Sequence, residues 1–307
     1  MRTLRKITDV REALASARHA GQTVGLVPTM GAFHEGHLSL MRRARDECDV
    51  VVVSLFVNPA QFNSERDLTS YPRDERHDAA LAEQIGVDYL FAPPAEEMYP
   101  PGFATSVSIS GLTETLEGAF RGREHFDAVT TVVTKLLHIV APDVVYFGRK
   151  DAQQALVIGR MVRDLDMPVR IELCPTVRDP DGLAMSSRNV HLKDADRGRA
   201  LSLHRALDAV RQAVADGERD PAAARSSAVA ELAAEGVEPE YLELVSPDTL
   251  APVRRIDGQP VLALIAARVG ATRLIDNELI SVPGAGGTDD QRLSTAPAAG
   301  SKNDRRP

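Results

Sequence analysis

Apolar positions in this chain follow two kinds of pattern. Short unbroken runs occur at Val24–Thr29, at residues 50–57 ("VVVVSLFV"), and in "VDYLFAP", "DVVYFG" and "VRIELC". Runs of this length and β-branched content suit strands of a parallel sheet covered on both faces. Between them apolar residues recur at helical spacing. Residues 74–85, 125–140 and 151–165 read as helices, the second with Val129, Val132, Val133, Leu136, Leu137 and Val140 on one stripe. The first 21 residues read as an amphipathic helix ending near Gly21. Strands alternating with helices predict an α/β domain with a largely parallel sheet.

The order changes after about Arg178. Asp194–Ala215 reads as a long helix with Leu203, Leu207, Val210 and Val214 aligned. Asp220 and Pro221 then open another, as cap and first-turn residues, and Gly236 is placed to end it. "EYLELVS", "VLALIAARV" and "TRLIDNELISV" follow as strands. Helices before strands predict a smaller α+β domain. The expected division is 1–178, 179–283 as a domain closing over the first, and a disordered tail over 284–307, where apolar residues nearly vanish.

Composition narrows the function classes. With 36 Lys and Arg against 44 Asp and Glu, the net charge is −8, a poor basis for binding nucleic-acid phosphates. No apolar run approaches a membrane span, and the N-terminus lacks an apolar signal core. Cys48 and Cys174 lie in apolar surroundings and read as buried structural thiols. The expected compartment is the cytosol, with no nucleic-acid or membrane partner.

Candidate chemistry gathers where strands end. "PTMGAFHEGH" places His34 and His37 between a strand and a helix start, beside Gly31 and Gly36. A helix N-terminus there offers free N–H groups to phosphate, and glycine permits close approach. Either imidazole can donate to a phosphate oxygen, neutral or charged; the bland alternative is a tight turn with two surface histidines. In "FGRKDAQQ", Lys150 is a cation able to reach a phosphate chain, Asp151 alone reads as a helix cap, and Gln154 suits a polar substrate. "DGLAMSSRN" offers Ser186, Ser187 and the fork of Arg188 in a loop between the domains, or a plain polar hinge. "FVNPAQFN" puts the amides of Asn58 and Gln61 at a sheet edge. Asp74, Glu75 and Asp78 could hold a hard cation or simply form a solvated helix start. Together these clusters describe a crevice for ATP and a small acidic partner.

"VPTMGAFHEGH", "FVNPAQF", "YPRD", "HFDAVTTVVTKLL", "YFGRKDAQQ" and "GLAMSSRN", in this order, resemble the pantothenate synthetase family of the nucleotidylyltransferase superfamily, over roughly residues 1–283. The resemblance implies a Rossmann-like first domain, a homodimer, Mg²⁺ with ATP as cosubstrate, and condensation of pantoate with β-alanine through pantoyl adenylate, releasing AMP and pyrophosphate. It implies that His34, His37, Lys150, Ser186, Ser187 and Arg188 hold the ATP phosphates. Met30, Gly148, Asp151, Val177 and Met185 would line the nucleotide site. Met30, Gln61, Gln154 and His125 would hold pantoate, and Asp78 matches the family's metal-site acid. No covalent nucleophile is needed, because pantoate's own carboxylate attacks. One segment departs from the family: "FRGREHF" stands where Arg-Pro-x-His-Phe is usual, leaving Arg121 or Arg123 to replace the family's arginine. The rivals are an adenylyltransferase that leaves AMP on its product, a synthetase-type nucleic-acid module and a silent binding protein.

Overall fold

The computed structural model describes residues 1–62 and 65–282, and the tail expected from Gly284 lies outside them. Strands β1 (Arg2–Leu4), β2 (Val24–Thr29), β3 (Val50–Leu55), β4 (Tyr89–Phe91), β5 (Val144–Gly148) and β6 (Arg170–Cys174) form one parallel sheet, in the order β1-β4-β3-β2-β5-β6. The connecting helices are α1 (Ile7–His19), α2 (Glu35–Glu47), α3 (Glu65–Ser70), α4 (Glu75–Ile85), α5 (Ala95–Met98), α6 (Glu117–Arg121), α7 (Arg123–Val140) and α8 (Ala152–Asp164).

The valine run of β3 explains itself. Val50 and Val52 enter the core with Leu14 of α1, Val133 of α7 and Ile158 of α8. Val51 and Val53 enter the core on the other face, with Met41 of α2 and Ala82 of α4. Both faces are therefore dry, and no polar alternation survives. Gly25 in β2 allows close packing, because a Cβ there would lie 2.9 Å from Cys48 Sγ. Both cysteines are free and buried, as expected.

The first 21 residues are not one helix. Arg2–Leu4 pair with Tyr89–Phe91, and the helix begins at Ile7. Three residues are too few for alternation to declare a strand; the apolar stripe of Val10, Leu14 and Ala17 belongs to α1 alone.

The chain continues through α9 (Asp194–Ala215) and α10 (Pro221–Ala234) to an antiparallel sheet, β7 (Pro239–Val245), β8 (Val261–Val269) and β9 (Thr272–Ile280). Asp220 caps α10, accepting from Ala222 N at 3.0 Å, and Gly236 turns the chain beyond its end at φ +62°. One face of this sheet buries Leu244, Ala263 and Ile265 against Leu207, Val210 and Leu232 of α9 and α10. The other presents Leu262 and Leu264 to Leu112, Leu116 and Leu156. The second sheet is thus packed on both sides, and its outer strands reach the crevice of the first.

Candidate active site

In the parallel sheet the chain runs from β2 outward through β3 and β4 on one side, and through β5 and β6 on the other. Ligands of such sheets bind beyond the carboxyl ends of the strands where the order diverges. Here those ends carry the turns 30–37 and 148–151.

The turn after β2 is tightly built. Gly31 sits at φ +83°, and Ala32 at +53°. The N–H groups of Ala32 and Phe33 donate to the two oxygens of Asp78 at 2.8 and 2.7 Å. A Cβ on Gly31 would press to 3.0 Å from that carboxylate. Asp78 is 2% exposed and does not line the crevice. Expected as a metal-site acid, it anchors this turn, each oxygen accepting from one backbone donor. Burial raises its pKa, opposed by those two N–H groups.

His34 caps α2, its Nδ1 accepting from Gly36 N at 3.2 Å. His37 Nδ1 accepts from His34 N at 3.4 Å, and the two rings lie 4.1 Å apart. A Cβ on Gly36 would come within 2.9 Å of the His34 ring. With Nδ1 accepting on each ring, the proton resides on Nε2. Burial and then the Lys150 charge hold His34 below its ordinary pKa. Burial and then His34 hold His37 at about 3. The "HEGH" segment therefore presents two neutral imidazole donors at a helix N-terminus.

His125 has the opposite tautomer. Its Nδ1 lies 2.9 Å from the carbonyl of Gln61, which can only accept. Nδ1 carries the proton and Nε2 is left as an acceptor. Burial, then Arg121, lowers its pKa to about 4. Gln61 ends a 3₁₀ turn capped by buried Asn58, which accepts from Ala60 N at 3.2 Å and donates to Ala128 O at 3.3 Å.

After β5, Arg149–Asp151 form a 3₁₀ turn ahead of α8. Lys150 Nζ lies 3.9 Å from Asp151 Oδ1. Asp151 occupies the cap position of α8 but makes no side-chain cap bond. Gly148 has ordinary φ and ψ, and among the described residues a Cβ there would meet nothing within 4 Å. The space beside it opens on the crevice.

One crevice is lined by Met30, His34, His37, Gln61, His125, Gly148, Lys150, Asp151, Gln154, Val177, Met185, Ser186, Ser187 and Arg188. Asp78 lies outside this lining, as do the other candidates Asn58, Asp74 and Glu75. Arg121 lines the crevice, whereas Arg123 is exposed and donates to Ser108 Oγ at 2.9 Å.

Sequence reasoning missed several contributors. Tyr71 lines the crevice beside the polar loop, and burial raises its phenol pKa. Gln153, beside Gln154, is structural: its amide donates to Leu112 O and Thr115 O and accepts from Glu117 N. Asn277 of β9 donates to the carbonyls of Arg149 and Lys150 at 3.0 and 2.7 Å. No local pattern announces these contacts.

Known proteins resemble this chain along most of its length. The family model for pantoate-beta-alanine ligase matches residues 2–279. A pantothenate synthetase of Moorella thermoacetica is 52% identical over 283 residues, covering 92% of this chain and 99% of that protein. One from Cereibacter sphaeroides is 52% identical over 274 residues, covering 89% and 98%. The crystal structure of pantothenate synthetase from Thermus thermophilus superposes with TM-score 0.85 at 47% identity, covering 91% of this chain and 99% of that one. A pantoate-beta-alanine ligase from Francisella tularensis, complexed with beta-gamma ATP and beta-alanine, gives 0.76 at 32% identity, covering 91% and 97%.

Proposed function

The chain belongs to the pantoate-beta-alanine ligase family, and we propose that it condenses pantoate with β-alanine through a pantoyl adenylate, releasing pyrophosphate and then AMP. A carboxylate oxygen of pantoate attacks the α-phosphorus of ATP as the bond to pyrophosphate breaks. The β-alanine amine, after losing a proton, attacks the acyl carbon, and AMP leaves with the anhydride oxygen. The barrier to the first step is charge: an anion approaches a polyanion. Fixed donors and cations lower it. The Nε2–H groups of His34 and His37, with Lys150, Ser186, Ser187 and Arg188, suit the phosphates. Gly148, Asp151, Val177 and Met185 suit the nucleoside side. Gln61, Gln154 and Met30 suit pantoate, and the bare Nε2 of His125 suits one of its hydroxyls.

The observation that carries this reading is the convergence of neutral donors, a lysine and a serine–arginine loop on the one crevice at the divergence of strand order. The Francisella relative, whose complex holds an ATP derivative and beta-alanine, supports the same substrates here.

Mg²⁺ fits less well as a resident ion. Among the described residues no group of three or more His, Cys, Asp or Glu is placed to hold a metal. Of the acids lining the crevice, Glu117 and Asp276 are engaged by arginines, which leaves Asp151. We therefore propose that Mg²⁺ arrives on the nucleotide, held mainly by phosphate oxygens. We further propose a division near residue 178, a homodimer and a cytosolic setting. Cys174 packing in the first core and Leu183 in the second support that division. No helix among the described residues is long and apolar enough to cross a membrane.

The test supplies the purified chain with labelled pyrophosphate, ATP and pantoate. Label should enter ATP without β-alanine, and adding β-alanine should yield AMP and pantothenate in equal amounts. Exchange that needs β-alanine would overturn the adenylate, and accumulation of an adenylated product would favour an adenylyltransferase.

A further inference from the structure

Glu117 is a buried carboxylate with more charged partners than its helix requires. Its oxygens accept from both terminal nitrogens of Arg273 at 2.8 and 2.7 Å, from Tyr241 OH at 2.9 Å and from Arg121 Nε at 3.0 Å. Arg273 and Tyr241 belong to the second sheet, whereas Arg121 lines the crevice of the first. Arg273 also donates to Glu240 at 2.6 Å and stacks 3.9 Å over Phe120. Two arginines thus face two carboxylates, and the Glu117 carboxylate has its acceptor sites filled.

The backbone around Glu117 is held against its preferences. Leu116 sits at φ +54°, ψ −121°, a region costly for a branched side chain. Gly118 follows because a Cβ there would strike Thr113 O at 2.0 Å. Such strain persists only where surroundings over-determine it. Here the Gln153 amide pins three backbone groups of the turn, and Leu112 and Leu116 pack against Leu262 and Leu264.

We infer that Glu117 is a positioning residue that fixes Arg121 in the crevice and ties it, through Arg273 and Tyr241, to the second sheet. This rests on the proposed ligase reaction. Arg121 meets the reacting anions, and a guanidinium held by a carboxylate at Nε presents its remaining donors in a set plane. Glu117 borders the same crevice, but its oxygens are occupied by Arg273, Tyr241 and Arg121. Its effect on turnover passes through Arg121.

A double-mutant cycle on the full chain tests this with ATP, pantoate and β-alanine. Arg121→Ala should lower kcat roughly a hundredfold, as for loss of one fixed donor. Glu117→Gln should lower kcat about tenfold while KM for ATP stays within about threefold, the pattern for an interaction realised in the transition state. In the Arg121→Ala background, Glu117→Gln should cost less than about twofold in kcat, as residues acting as a unit do not add. The drop in melting temperature should persist in both backgrounds. Should Glu117→Gln fail to fold, Tyr241→Phe, which keeps every charge, carries the same cycle with a loss of roughly threefold in the parent. Losses in kcat that multiply in an active enzyme overturn this inference alone. A parent chain that makes no pantothenate overturns the ligase reading and this inference with it.

Discussion

Three histidines show how one side-chain type takes opposite roles from its backbone neighbours. His34 and His37 receive an N–H at Nδ1 and present Nε2–H; His125 gives its Nδ1–H to a carbonyl and presents a lone pair. Their positions were legible in the sequence, because "HEGH" sits on a strand-to-helix junction and "HF" opens an apolar helix. Their tautomers were not, since the partner of His125 lies 64 residues away at Gln61. Burial favours the neutral ring in each case. His37 and His125, at about 3 and 4, should stay unprotonated down to about pH 5. Histidine ring nitrogen shifts followed by NMR from pH 8 to 5 should be flat for both; an inflection near 6.5 for either would show an accessible, charged imidazole. The sign for stability follows. Unfolded histidines take up protons as pH falls through 6.5, while these folded ones do not until about 4 and 3. Their contribution is full above 6.5 and is lost as pH falls to about 4 for His125 and about 3 for His37.

Elements were legible where their pattern is long and local. The α9 stripe and the valine run of β3 state their own burial, and the Asp220–Pro221 pair marks a helix start. The three residues of β1 do not, and neither does the turn before α6, whose form is imposed by Gln153 and by leucines of the second sheet. Asp78 is the instructive case, for an acid in the first turn of a helix near a phosphate crevice resembles a metal ligand in sequence. Its job is to join α4 to the turn after β2. Asp78→Asn would set an amide N–H₂ against one of two backbone N–H groups and leave that donor unsatisfied. Stability should fall by about 1–3 kcal/mol, with a raised KM for ATP as the His34 turn loosens. Half-saturating Mg²⁺ at fixed ATP should be unchanged. A strong rise in the Mg²⁺ requirement without loss of melting temperature would restore the metal role.

At the scale of the whole molecule, the crevice is walled by both sheets, and among the described residues three polar ties link the second sheet to the rest of the chain. Asn277 grips the carbonyls of the Lys150 turn, Arg273 and Tyr241 grip Glu117, and Arg178 pairs with buried Asp276 at 2.6 Å. Each tie joins residues about a hundred or more apart in sequence, so none could be read from spacing. Together they make the second sheet part of the crevice's scaffold. A ligand that binds only the folded, assembled crevice then stabilises everything tied to it, by about 2.7 kcal/mol at a hundredfold excess over Kd. Saturating MgATP should slow amide hydrogen exchange in β2 and β5, and also in β8 of the second sheet. The slowing in β8 should fall away in Asn277→Ala, because the Lys150 turn then loses its two donors from β9. Hydrogen-exchange mass spectrometry of both proteins, with and without MgATP, reads this directly. Protection confined to β2, β5 and the loop 181–189, with β8 unchanged in the parent chain, would mean that the two sheets open independently and that the ties do not couple them.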